Sequence, residues 1–185
     1  MRSVSGSGKD RLRAMSLRKK PSLAKLLVSA IYREEDRFEE ARVRLSGLLG
    51  PVERTSDRFD FNLTDYYEEE MGAPLFRRFL VMEERVPRDF LASAKLQAEE
   101  VEALFSSAGK RTVNLDPGIL SEENFLLATG KNFSHRIYLR DGVFADLTLV
   151  YRKGEYLPLP WTYPDYASRG IRTFLAQVRE GLRRA

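Results

Sequence analysis

The sequence predicts one α+β domain built on a mostly antiparallel sheet. Three observations carry this. Residues 111–159 hold five short runs rich in Val, Ile, Leu, Phe and Tyr (RTVNL, ENFLLAT, HRIYL, VFADLTLVY and EYLPL). Arg140-Asp141-Gly142 and Arg152-Lys153-Gly154 sit between such runs as hairpin turns. Three further segments place apolar residues at helical spacing, which favours helices packed on a sheet.

LAKLLVSAIY (residues 23–32) reads as a buried first strand. A charged helix over 35–49 follows, with Phe38, Ala41, Leu45 and Leu48 on one face and Gly50-Pro51 as its stop. RFDFNL (58–63) alternates Phe59, Phe61 and Leu63 with polar residues, the period of a half-buried strand. Residues 75–84 form a third strand. Pro87 opens a helix running to about Ser107, because its missing N–H costs nothing in a first turn. Leu91, Ala94, Ala98, Val101 and Phe105 give that helix an apolar stripe, and Gly109 is its expected cap. The first half therefore reads as a ferredoxin-like β-α-β-β-α unit, followed by a β-meander. A C-terminal amphipathic helix closes the chain, with Ile171, Phe174, Leu175, Val178 and Leu182 on one side.

The 185 residues are 43% hydrophobic and 11% aromatic, enough for one packed core. The chain has no cysteine, which excludes disulfides, thiolate metal sites and cysteine nucleophiles. No apolar run approaches the roughly 20 residues of a membrane helix, and a cytoplasmic location is expected. Residues 1–20 carry seven Lys or Arg against Asp10. That leaves +6 in a basic, disordered leader, and the net +4 then leaves −2 for the domain over 21–185. Any contact with nucleic acid is expected through the leader only. Met15 is an alternative start. GSGK (6–9) is not a phosphate loop: no strand precedes it, and Asp10 stands where the Mg²⁺-binding Ser or Thr belongs.

Four segments carry candidate chemistry. TDYYEEEMG (64–72) follows a strand and supplies Asp65 and Glu70 as candidate Mg²⁺ ligands beside Tyr66 and Tyr67. Its other acids suit the start of a helix. In NLDPG (114–118), Asp-Pro-Gly is turn chemistry, with Gly118 supplying a positive φ, while Asn114 and Asp116 share a face and can hold a ligand hydroxyl or a metal. KNFSHRIYL (131–139) brings Lys131, His135 and Arg136 together, a set suited to phosphate or carboxylate. His135, the single histidine, and Asp116 are the candidate catalytic residues. PWTYPDY (160–166) offers Trp161 and Tyr163 as rings for stacking, with Asp165 near the start of the last helix.

With FDFNLTDYYEEEMG, RTVNLDPG, KNFSHRIYL and PWTYPDY in this order over residues 20–180, the chain resembles the bacterial family called domain of unknown function 4416. The resemblance implies which residues form the motifs and assigns none of them a role. Some similar proteins carry a "GTP-binding" label. This sequence has neither a phosphate loop nor an Asn-Lys-x-Asp guanine-reading motif. The expected function is one polar pocket for a small anionic or phosphorylated molecule, with a nucleotide and Mg²⁺ within that class. One alternative is a non-catalytic module binding RNA or a protein partner. Another is a structural role, in which Arg136 pairs with Asp116 or Asp165.

Overall fold

The computed structural model describes residues 18–107 and 109–184. The leader motif over 6–9 and Met15 lie outside them. Strand β1 (Ala24–Tyr32) is buried along all nine residues, so both of its faces are covered. Helix α1 (Glu35–Leu49) buries Phe38, Ala41, Leu45 and Leu49. Leu48, expected inward, is exposed instead. The physical reason is the period: Leu49 lies eleven residues from Phe38, about three full turns, and so points the same way.

A short edge strand β2 (Val52–Thr55) follows, which the charged sequence VERT does not announce. Strand β3 is only Phe59–Asp60, shorter than the alternating run, because the chain leaves the sheet once Phe61 is buried. A single turn, α2 (Glu68–Met71), leads to β4 (Phe76–Val86). After a 3₁₀ turn at Arg88–Phe90 comes α3 (Leu91–Leu104). Gly109 has a positive φ of 77° but does not cap α3. It turns the small hairpin of β5 (Ser106–Ser107) and β6 (Lys110–Arg111).

The remaining strands are β7 (Val113–Leu120), β8 (Asn124–Thr129), β9 (Arg136–Arg140), β10 (Val143–Arg152) and β11 (Glu155–Pro158). Helix α4 (Arg169–Arg184) is the last element. Both predicted hairpin turns are present. Asp141 and Gly142, then Lys153 and Gly154, all take positive φ, which matches the twist of the strands they join. The main sheet has the order β11-β10-β8-β7-β1-β4-β2, with β3 beside β4 and β9 beside β10. Its pairings are all antiparallel.

The sheet is sandwiched. Leu26, Val28, Ala30 and Tyr32 of β1 join a core with α1 and α3. Leu27 faces the other way, into a core with Phe79, Phe125, Tyr156 and the apolar side of α4. Each Leu, Val or Phe side chain among them contributes about 1.5–3 kcal/mol when fully buried. No helix of the described residues is long and apolar enough to cross a membrane.

The segment NLDPG corrects the sequence reading. No turn forms there: β7 runs straight through Asp116, Pro117 and Gly118. It pairs with β1 along its whole length but with β8 only at Gly118, Ile119 and Leu120. Pro117 has no N–H to give a ladder and stands one residue before the pairing to β8 begins. Gly118 is needed for closeness rather than for φ. A Cβ there would lie 2.6 Å from the Phe125 ring and 2.9 Å from the Leu126 carbonyl. Beyond Gly118 toward Val113, β7 and β8 part.

Candidate functional site

A cavity of about 640 Å³ lies where β7 and β8 part. The gap explains its polarity. Strand β7 at Leu115 has no β8 partner, and α3 supplies substitutes. Glu102 accepts the Leu115 N–H, and Lys95 Nζ donates to the Leu115 carbonyl at 3.2 Å. Two charged side chains thus do the work of a missing strand, since buried backbone groups need partners.

From Lys95 a chain of contacts runs along the floor. Lys95 Nζ reaches Asp116 Oδ1 at 3.3 Å, and Asn114 Nδ2 donates to Asp116 Oδ2 at 2.7 Å. Arg111 donates to Asn114 Oδ1 at 2.7 Å and forks onto Glu70 at 2.6 and 2.8 Å. Those hydrogen bonds from Arg111 hold the Glu70 carboxyl below its ordinary range. Burial pushes the Glu102 carboxyl up, and Lys95 only partly offsets this. Burial also works against the Lys95 charge, but Asp116, Glu102 and Glu99 outweigh it and raise its pKa. The Tyr67 hydroxyl over this floor is held protonated, first by burial and then by the Asp116 charge.

A second wall comes from the α4 side. Arg77 of β4 is buried and pairs with Asp165 at 2.7 Å. It also donates to Ser29 Oγ at 2.5 Å and to the Tyr166 hydroxyl at 2.7 Å. The mouth is formed by the loops after β3 and β8 and by the segment before α4. Lys131 Nζ meets the Tyr66 hydroxyl at 2.5 Å. Arg136 donates to Asp146 at 2.9 Å, to the Lys131 carbonyl at 3.0 Å and to the Tyr163 hydroxyl at 3.1 Å.

Of the residues singled out from sequence, Tyr66, Tyr67, Asn114, Asp116, Lys131, Arg136, Tyr163 and Asp165 line this one cavity. Asp165 does not serve the start of α4, which begins four residues later; it holds Arg77. Arg136 pairs with Asp146, not with Asp116 or Asp165. His135, Trp161, Asp65 and Glu70 are outside the lining. His135 sits behind Arg136 on Asp146, and Trp161 stacks on His135 at 5.0 Å while its indole N–H donates to the Leu147 carbonyl. Both oxygens of Glu70 are taken by Arg111, so Asp65 and Glu70 do not converge as a metal pair. Among the described residues no group of three His, Asp or Glu is placed to hold a metal ion.

Sequence reasoning missed Arg77, Lys95, Glu102, Arg111 and Asp146. Arg77 and Asp146 interrupt strand sequences, and Lys95 and Glu102 lie seven residues, about two turns, apart on the buried side of α3. A charge inside an apolar pattern was the available signal. A larger, open groove of about 1260 Å³ between α1 and the end of α3 carries none of the candidate residues.

Fold and cavity define an α+β protein whose central antiparallel sheet opens around a charged pocket. The chain belongs to the family described as Domain of unknown function (DUF4416), whose model matches residues 22–181. No curated protein and no solved structure matches it.

Proposed function

We propose that the protein binds a small phosphorylated molecule in the cavity between β7 and β8. The observation that carries this reading is the cation set. Arg77, Lys95, Arg111, Lys131 and Arg136 come from distant segments and line one cavity. Four of them pair with carboxylates. Lys131 has only the Tyr66 hydroxyl as its side-chain partner among the described residues. Together with the unused N–H groups of Arg136, it offers positive charge to a ligand. Asn114 and Asp116 suit ligand hydroxyls, and Tyr66, Tyr67 and Tyr163 offer ring faces. A nucleotide belongs to this class. Mg²⁺ enters the reading only as a companion of ligand phosphates, since Glu70 is engaged with Arg111.

The test is a thermal-shift screen of nucleotides and sugar phosphates, each with and without Mg²⁺. A ligand at 100 times its Kd adds about 2.7 kcal/mol. At roughly 2–4 °C per kcal/mol for a domain of this size, the shift is about 5–11 °C. A flat response across the screen rejects the reading.

A second reading, a protein partner, is favoured by one observation. Among the described residues strand β9 pairs only with β10, and Ile137, Tyr138 and Leu139 are exposed on it. Monodisperse behaviour at all concentrations, with no partner captured by the intact chain and lost on Ile137→Lys, counts against it. Contact with RNA remains assigned to the leader, outside the described residues. Salt-dependent RNA binding that disappears on removing residues 1–14 is the expected result.

A further inference from the structure

We infer that His135 is a positioning residue whose proton is coupled to anion binding in the cavity, acting through Asp146 on Arg136. The inference rests on the reading of the cavity as an anion site.

His135 does not touch the cavity. Its side chain is 12% exposed, and Asp146 and Arg136 are equally enclosed at 5% and 10%. Nε2 donates to Asp146 Oδ2 at 3.1 Å. Facing a carboxylate, that nitrogen carries the proton in the neutral ring. The same Oδ2 accepts from Arg136 Nε at 2.9 Å. One oxygen is therefore shared between an imidazole outside the cavity and a guanidinium on its wall. Among the described residues the other oxygen, Oδ1, takes only the Thr148 hydroxyl at 3.3 Å.

The charge count follows from this sharing. With His135 neutral, Asp146 and Arg136 cancel. With His135 protonated, the cluster carries +1, and Oδ2 is contested by two cations. The carboxylate then holds Arg136 less tightly, and more of the guanidinium charge is available at the wall. The groups facing His135 support this. Trp161 from the β11–α4 loop stacks on it at 13° between planes, and Phe133 meets it edge-on at 5.3 Å. Both rings exclude water, carry no charge and leave Asp146 of β10 as its ion-pair partner. Beyond Asp146, Arg136 in turn donates to the Lys131 carbonyl and to the Tyr163 hydroxyl, so the cluster reaches the cavity mouth through it. An anion held by Lys131 and Arg136 favours the charged form of His135. By linkage, a proton on His135 favours the anion by the same factor.

His135 is the chain's single histidine, so its ring signals in an NMR titration of the intact protein report one group. Sulfate is the probe, because it stays dianionic from pH 5.5 to 8. The expected result is a higher His135 midpoint with sulfate than without, and a sulfate Kd that weakens as pH rises. A midpoint shift of one unit corresponds to about a tenfold change in affinity between the two protonation limits. His135→Gln keeps a donor toward Asp146 and is expected to bind sulfate with a flat pH profile. If sulfate binds but the His135 midpoint does not move, or if His135→Gln keeps the wild-type slope, the inference is overturned and the anion site stands. If sulfate perturbs nothing at any pH, the anion site fails and the inference goes with it.

Discussion

Lys131 is the cavity cation whose removal costs the fold least, because it is exposed and holds no carboxylate. Lys131→Met is expected to keep stability within about 0.5 kcal/mol, as surface changes do. The same change should weaken phosphate-ligand binding by about tenfold or more, the value of one charge-assisted hydrogen bond. Calorimetry beside a urea melt reads both. Arg77 is the opposite case. Its pair with Asp165 is buried, so Arg77→Met strands a carboxylate and should cost about 3–5 kcal/mol in the urea melt. Glu70 gives a pH test. Its folded pKa lies below the ordinary 4.5, so its contribution is complete above that pH and is lost as pH falls through the lowered value. Glu70→Gln should therefore be less stable than wild type by about 1–2 kcal/mol near neutrality, with the gap closing below pH 4.5. Glu102 runs the other way: its raised pKa gives stability at low pH that is lost as pH rises through it. Only the difference between wild type and variant isolates Glu70.

At the scale of elements, the bounds of α1 and the end of β1 were legible because their apolar patterns are long and uninterrupted. The hairpins at 141–142 and 153–154 were legible because only certain residues tolerate their φ. Strand β7 was not. Asp-Pro-Gly is locally a turn, and tertiary pairing to β1 overrides that preference. Nothing within the segment announces that Phe125 closes over Gly118. Gly118→Ala is expected to destabilise by about 1–3 kcal/mol through overpacking against the ring and the Leu126 carbonyl, read as a lower urea midpoint with unchanged slope. The candidate site divides in the same way. Residues clustered in one polar run of sequence, such as Lys131 and Arg136, showed themselves. Lys95, Glu102 and Asp146 did not, because the group each holds at the cavity lies on another element.

At the scale of the molecule, the parting of β7 from β8 divides the sheet into two panels. One holds β2, β4, β1 and β7; the other holds β8, β10, β9 and β11. Three residue pairs join them along the ladder, at Gly118, Ile119 and Leu120. Helix α4 spans the junction from one side: Phe174 stacks on Phe79 of the first panel, and both share one core with Leu149 of the second. Such a structure behaves like a book with a short spine and a strap. Its amides at 118–120 should exchange faster than those of β1, which is laddered to β4 and to β7 over nearly all of its length rather than at three residues. Anything seated between the pages would hold them at one angle, and slowed exchange at the spine would register it without contact there.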